Sequence, residues 1–174
     1  MNTETTADNP VKISDTLDAF VQKLGHFFMW TNGLLIIAII VQVVLRYGFG
    51  KGLVVLEELQ WHLYAVGIMF GASYAVTMDS HIRVDIVHAS LSEKWQKRWD
   101  LFGIFFLLLP FVCIIFHQSL DFVWEAWRVG ERSDAPSGLP FRWLIKGVIP
   151  ASFALLGVAV ISRAIRIITF FKRG

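Results

Sequence analysis

A chain of 174 residues that is 55% hydrophobic and only 17% charged carries too little charge to keep its whole surface in water. A domain of this size exposes a large share of its surface, so the excess Leu, Ile, Val and Phe cannot hide in an aqueous-style core and must meet lipid. The formal charge of +2 is too weak to suggest a nucleic-acid partner, and the single cysteine, Cys113, excludes an internal disulfide.

Residues 1–12 form a polar tail containing Glu4 and Asp8. It lacks the basic and short apolar regions of a cleaved signal peptide, so the first apolar segment is expected to stay in the mature protein. Residues 13–174 read as one membrane domain. A bilayer core takes about 20 mostly apolar residues per helix. Four stretches meet this, at about 27–45, 59–78, 101–120 and 143–162, and only the last holds a charge, Lys146, near one end. A barrel strand would alternate apolar and polar residues. These runs are continuously apolar, so their backbone groups must be satisfied within helices.

Three shorter segments read as interfacial. Ile13, Leu17, Phe20 and Leu24 share one helical face, with Lys12, Asp15, Asp18 and Lys23 elsewhere. That pattern predicts an amphipathic helix on the membrane surface ahead of the first span. Residues 91–99 start with Ser92 as an N-cap and place Trp95 and Trp99 among Lys94, Lys97 and Arg98. Residues 121–128 carry Trp124 and Trp127 to aromatic-belt depth. The expected fold is an all-α membrane protein with four transmembrane helices plus short amphipathic interfacial helices.

Loop charge predicts orientation. With a cytoplasmic N-terminus, inside segments hold Lys12, Lys23, Arg83, Lys94, Lys97, Arg98, Arg163, Arg166, Lys172 and Arg173. Outside segments hold Arg46, Lys51, Arg128, Arg132, Arg142 and Lys146. The excess of basic residues on the first side places both termini inside. The Gly- and Pro-containing stretch 129–141 reads as an external turn.

Few residues in the spans carry chemistry. The interiors hold no Asp or Glu, so no ion-coupling site is expected in this chain. No nucleotide loop, dinucleotide motif, metal-ligand spacing or nucleophile elbow is present, and an enzyme is not expected. Asn32, Gln42 and Ser73 read as interhelical hydrogen-bonding groups rather than a pore lining. His62 and His117 fall near the same ends of their spans and leave a bis-histidine haem site open as an alternative. Gly67, Gly71 and Ala75, each four apart, mark a face for close helix packing. Pro110 should kink the third helix or free a carbonyl. After the second span, Met78 to Ile86 forms a compact polar knot containing His81, Arg83 and Asp85.

These features resemble a known family, the small membrane subunit (DctQ type) of tripartite ATP-independent periplasmic transporters, or TRAP transporters. The matching residues are Glu57-Glu58 before the second span, Gly71-Ala72 within it, and His81-Ile82-Arg83-Val84-Asp85 after it. The resemblance covers residues 27–170 and implies a multi-pass protein of the bacterial inner membrane. It implies a scaffold partnered by a large membrane subunit (DctM type) that moves substrate and coupling sodium. A periplasmic substrate-binding protein (DctP type) would deliver the substrate, an organic acid. No cofactor is implied for this chain, and membrane lipids are its remaining partners. On this reading Arg46, Glu57, Glu58, Gln60, Arg128, Arg132, Arg142 and Lys146 are candidate contacts for the large subunit or the binding protein. His81, Arg83 and Asp85 are assigned to structure. A haem-binding electron carrier and a self-contained small transporter remain as alternatives.

Overall fold

The computed structural model describes residues 8–78 and 91–173. Within them the chain is helical: α1 (Asp8–Gly48), α2 (Val54–Thr77), α3 (Glu93–Gly103), a π turn (Ile104–Leu108), α4 (Leu109–Arg128) and α5 (Arg142–Arg173). His81, Arg83 and Asp85 lie outside the described residues.

Three helical runs are long and apolar enough to cross a membrane: Lys12–Gly48, Glu93–Arg128 and Arg142–Lys172. The fourth helix, α2, has 24 residues, ample length for a bilayer core, but Glu57, Glu58, Gln60 and His62 crowd its first turns and lower its apolarity. It nonetheless lies along the spanning parts of its neighbours. Gln60 reaches the Ala38 carbonyl of α1, and the Ser73 hydroxyl donates to the Ser152 carbonyl of α5 at 3.3 Å. The chain is an all-α membrane protein.

Helix α5 organises the bundle, packing against α1, α2 and α4. Helices α1 and α2 run antiparallel, as shown by Gln42 beside Glu57 at one end and His26 beside Tyr74 at the other. Helices α4 and α5 do the same, from Trp127–Trp143 to Phe111–Phe153. The start of α1 meets the end of α5, so both ends of the described chain lie on one side of the bundle.

The core is thin. One cluster joins Val21, Phe70, Val76, Leu155 and Ala159, with Phe28 stacked on Phe70 at 3.7 Å between ring centres. A second joins Ile104 to Val160, Ala164 and Ile167. Large apolar side chains cover the outside, Trp30 at 78% exposure and Phe106 at 68% among them. In water this surface would be costly, at about 25 cal/mol per Å2 of apolar area. Lipid removes that cost.

The structure adds continuity to the sequence reading: both predicted interfacial segments ahead of spans run unbroken into the helices that follow. No Gly-Pro break separates residues 13–24 from the first span, and α1 runs through them unbroken. Its buried stripe there follows Ser14 and Val21, while Ile13 and Phe20 are half exposed. Docking onto α5 centres the buried face on Ser14, with Leu17 and Leu24 of the apolar stripe partly buried beside it. Ser92 does take the N-cap position of α3, with its carbonyl accepting from Trp95 and Gln96, though its side chain makes no cap bond. Helix α3 then continues into α4 rather than ending. Pro110 has no N–H to donate, and the helix accommodates it by widening: the Leu109 N–H reaches the Ile104 carbonyl, five residues back.

Candidate interaction sites at the two ends of the bundle

At the end remote from the termini, the α1–α2 corner is held by a polar clamp. Gln42, buried near the end of α1, donates through Nε2 to Glu57 Oε1 at 3.1 Å and accepts the Leu53 N–H through Oε1 at 3.2 Å. Arg46 Nη2 adds an ion pair to the same Glu57 oxygen at 3.1 Å. Acids at the start of α2 also suit the helix dipole.

Glu58, one residue on, points to the loop 129–141. It accepts the Ser133 hydroxyl and the Leu139 backbone N–H, the latter at 2.5 Å. The Ser133 hydrogen bond, followed by that of Leu139, lowers the Glu58 pKa below its ordinary value. The same loop is pinned to α5 by Glu131, which pairs with Lys146 and approaches Arg142 at 3.9 Å. Lys146 is largely enclosed, its ammonium 3.8 Å from the centre of the Phe122 ring on α4. Arg142 also approaches Asp134 at 3.9 Å. The turn is tight: Phe141 takes a left-handed φ of 62° just before α5 begins.

Most of the eight candidate contact residues are therefore engaged within the chain. Glu57, Glu58, Gln60 and Lys146 are partly buried in the clamp or the loop staples. Arg128 pairs with Glu125 one turn earlier at 2.7 Å. Arg46 and Arg128 remain more than half exposed despite their partners. Arg132 is exposed and makes no ion pair among the described residues. The helix-packing trio also divides. A Cβ on Gly67 would meet Asn32 Oδ1 at 3.0 Å and Thr31 Oγ1 at 3.2 Å, so α1 approaches closely there. A Cβ on Gly71 would meet nothing within 4 Å. Ala75 is partly buried. A second close approach, Gly25 against Tyr74, carries no small-residue repeat that would have marked it. His62 and His117 sit on α2 and α4, which share no substantial interface because both pack on α5.

At the other end, charges and hydroxyls lock α1 to α5. The Ser14 hydroxyl donates to the Ser162 carbonyl at 3.1 Å, and Ser162 Oγ lies 2.6 Å from Asp18 Oδ1. Arg166 pairs with Asp18 and with Asp15, and Arg163 reaches Asp100 of α3 at 3.4 Å. Asp15, Asp18, Arg163 and Arg166 border a cavity of about 660 Å3 between α1, α2, α3 and α5. The pairing joins residues almost a chain length apart, so no local pattern announces it.

The enclosed ion pairs join helix to helix or loop to helix, and the apolar exterior is suited to lipid and to other helices. This is the architecture of a multi-pass membrane protein. A sequence profile described as "Tripartite ATP-independent periplasmic transporters, DctQ component" matches residues 35–170. The chain belongs to that family. It is 28% identical over 163 residues to a Haemophilus influenzae protein named as a TRAP transporter small permease protein, covering 88% of this chain and 98% of the relative. It is 29% identical over 162 residues to the sialic acid TRAP transporter permease protein SiaT of H. influenzae, covering 89% of this chain. The matched region is only 24% of SiaT, so the chain spans about a quarter of that longer relative. No solved structure matches.

Proposed function

We propose that this chain is the small, scaffolding membrane subunit of a sodium-coupled TRAP transporter that imports organic acids. It works beside a large membrane subunit that carries the substrate and sodium sites, and beside a periplasmic binding protein. The carrying observation is that the polar groups at both ends are used to fasten helices and a loop together. Such groups fix a body in place, and the enclosed acids Asp18 and Asp100 are each paired with an arginine. The apolar stretches 27–45, 59–78, 101–120 and 143–162 hold no acid to bind a coupling ion. That a quarter of SiaT matches this chain supports a partner of larger size, since there the corresponding region is one part of a longer permease. On this proposal the chain lies in the bacterial inner membrane with both termini cytoplasmic. The loop 129–141 then faces the periplasm, where Arg46, Arg128 and Arg132 offer exposed guanidinium groups to the binding protein. No cofactor is needed by this chain.

Tagged protein drawn from native membranes in mild detergent tests the proposal. The expected result is a stoichiometric, larger, multi-spanning partner and a colourless sample. The reconstituted pair with its binding protein should take up an organic acid only under an inward sodium gradient, and this chain alone should take up none. A lone chain from native membranes, or a Soret band in its spectrum, would overturn it.

A further inference from the structure

The run Glu93–Arg128 is 36 residues long, about 54 Å at 1.5 Å per residue, against a hydrocarbon thickness of about 30 Å. Its first turns therefore reach headgroup depth. Along them Lys94, Trp95, Arg98, Trp99, Phe102 and Phe106 fall within one arc of the helix at 100° per residue. All six are exposed, with Trp95 at 52%, Trp99 at 57% and Phe106 at 68%. The acids take the other side. Glu93 lines the cavity, and Asp100 pairs with Arg163. Leu101 and Ile104 pack inward against α5.

The exposed arc is ordered along the helix axis. Lys94 and Trp95 come first, then Arg98 and Trp99, with the Arg98 guanidinium 5.0 Å from the Trp95 ring centre. Trp99 then meets Phe102 edge-on at 5.9 Å, and Phe102 stacks with Phe106 at 4.8 Å. This sequence of chemistry, cation and indole then phenyl over about 18 Å, matches a phospholipid read from phosphate to acyl chain. We propose that this face is a docking site for anionic phospholipid of the adjoining leaflet. Lys94 and Arg98 bind the headgroup phosphate, and Trp99, Phe102 and Phe106 lie along an acyl chain. Charge complementarity selects the anionic class: the arc carries two cations and no acid, so a net-neutral zwitterionic headgroup gains less there. The inference rests on the membrane-spanning fold and does not depend on the transported substrate.

The test uses the full chain, with any subunit that accompanies it, in nanodiscs of equal phosphatidylglycerol and phosphatidylcholine. Each lipid in turn carries a photoactivatable diazirine trace, and cross-links are mapped by mass spectrometry. The phosphatidylglycerol probe should label residues 93–106 several-fold more than the phosphatidylcholine probe. Lys94→Gln with Arg98→Gln should abolish that excess and bring the two probes to near-equal labelling. Lys12→Gln with Lys172→Gln, which removes the same charge elsewhere, should leave it unchanged. The charge-preserving pair Lys94→Arg with Arg98→Lys should retain it. Equal labelling by the two probes, an equal loss in the Lys12 and Lys172 control, or a protein cross-link in place of lipid would overturn the proposal.

Discussion

Ser14 and Ser162, 148 residues apart, bring their hydroxyl oxygens within 2.8 Å of each other in a contact from which solvent is wholly excluded. The pair fastens the first turns of α1 to the last turns of α5 and orients Asp18 toward Arg166. Ser162→Ala removes one hydroxyl and leaves the Asp18–Arg166 pair in place. A hydrogen bond between helices in a membrane protein contributes about 1 kcal/mol. Thermal unfolding in detergent should show a loss of that size. Ser162→Val, which also adds volume to a closed contact, should lose more. Ser137→Ala in the exposed loop should change nothing measurable.

Gly67 and Gly71 have different surroundings, and substitution should separate them. Gly67→Val presses a side chain onto Thr31 and Asn32, whose nearest atoms leave 3.2 and 3.0 Å for even a Cβ. Overpacking of this kind costs about 1–3 kcal/mol, so the isolated chain should unfold at lower temperature. Gly71→Val meets open space within the chain and should leave that temperature near the native value. Its effect should appear instead in the yield of the complex with the larger subunit, if that subunit packs on this face. Equal destabilisation of the isolated chain by both changes would contradict the assignment.

The apolar runs of α1, α4 and α5 are legible because lipid imposes a length and a composition on each one separately. Gln42 is legible as a polar bridge because an amide within a span must find a partner. The Ser92 cap and the disturbance before Pro110 are local backbone effects, and they too can be read from sequence. The α1–α5 lock is not, because Asp18, Ser162 and Arg166 acquire meaning only when the chain ends are brought together. The same holds for the face of α1 that is buried. The stripe of Ile13, Leu17, Phe20 and Leu24 is the more apolar by composition, yet the bundle fully buries Ser14 and Val21, only partly buries Leu17 and Leu24, and leaves Ile13 and Phe20 to lipid or solvent. In a membrane, hydrophobicity does not mark the inner face of a helix, because lipid accepts apolar side chains as readily as a core does. Lys146 shows the same limit: its position near a span end reads as a snorkelling lysine, whereas its ammonium is held by Glu131 and the Phe122 ring.

Glu58 gives the loop 129–141 a defined pH response. Its folded pKa lies below its ordinary value, chiefly through the Ser133 hydroxyl and then the Leu139 N–H. A state in which Glu58 is released binds a proton more readily, so attachment strengthens as pH rises. The contribution is complete above the ordinary glutamate value of about 4.3. It fades as pH falls from there through the lower folded value. Hydrogen exchange of the Leu139 amide reports this directly once the intrinsic pH dependence of exchange is removed. Protection should be constant near neutrality and should fall in the acid range. Glu58→Gln should abolish that acid transition, and a transition that persists in this variant would assign it to another group.

Lys146 and Glu131 form the most enclosed attachment of the same loop to α5, with side chains only 16% and 28% exposed. Lys146→Met keeps the apolar stem that lies along Phe122 but leaves Glu131 without its nearest cation. Removing one partner of a buried pair costs about 3–5 kcal/mol, and partial exposure together with Arg142 at 3.9 Å reduces this to about 1–2 kcal/mol. Glu131→Gln in the same chain removes the stranded charge and should restore part of the loss. A double-mutant cycle on thermal unfolding measures that coupling. Additive losses would show that Lys146 is held by the Phe122 face alone, and the loop would then rest on Glu58 and Arg142 for its attachment.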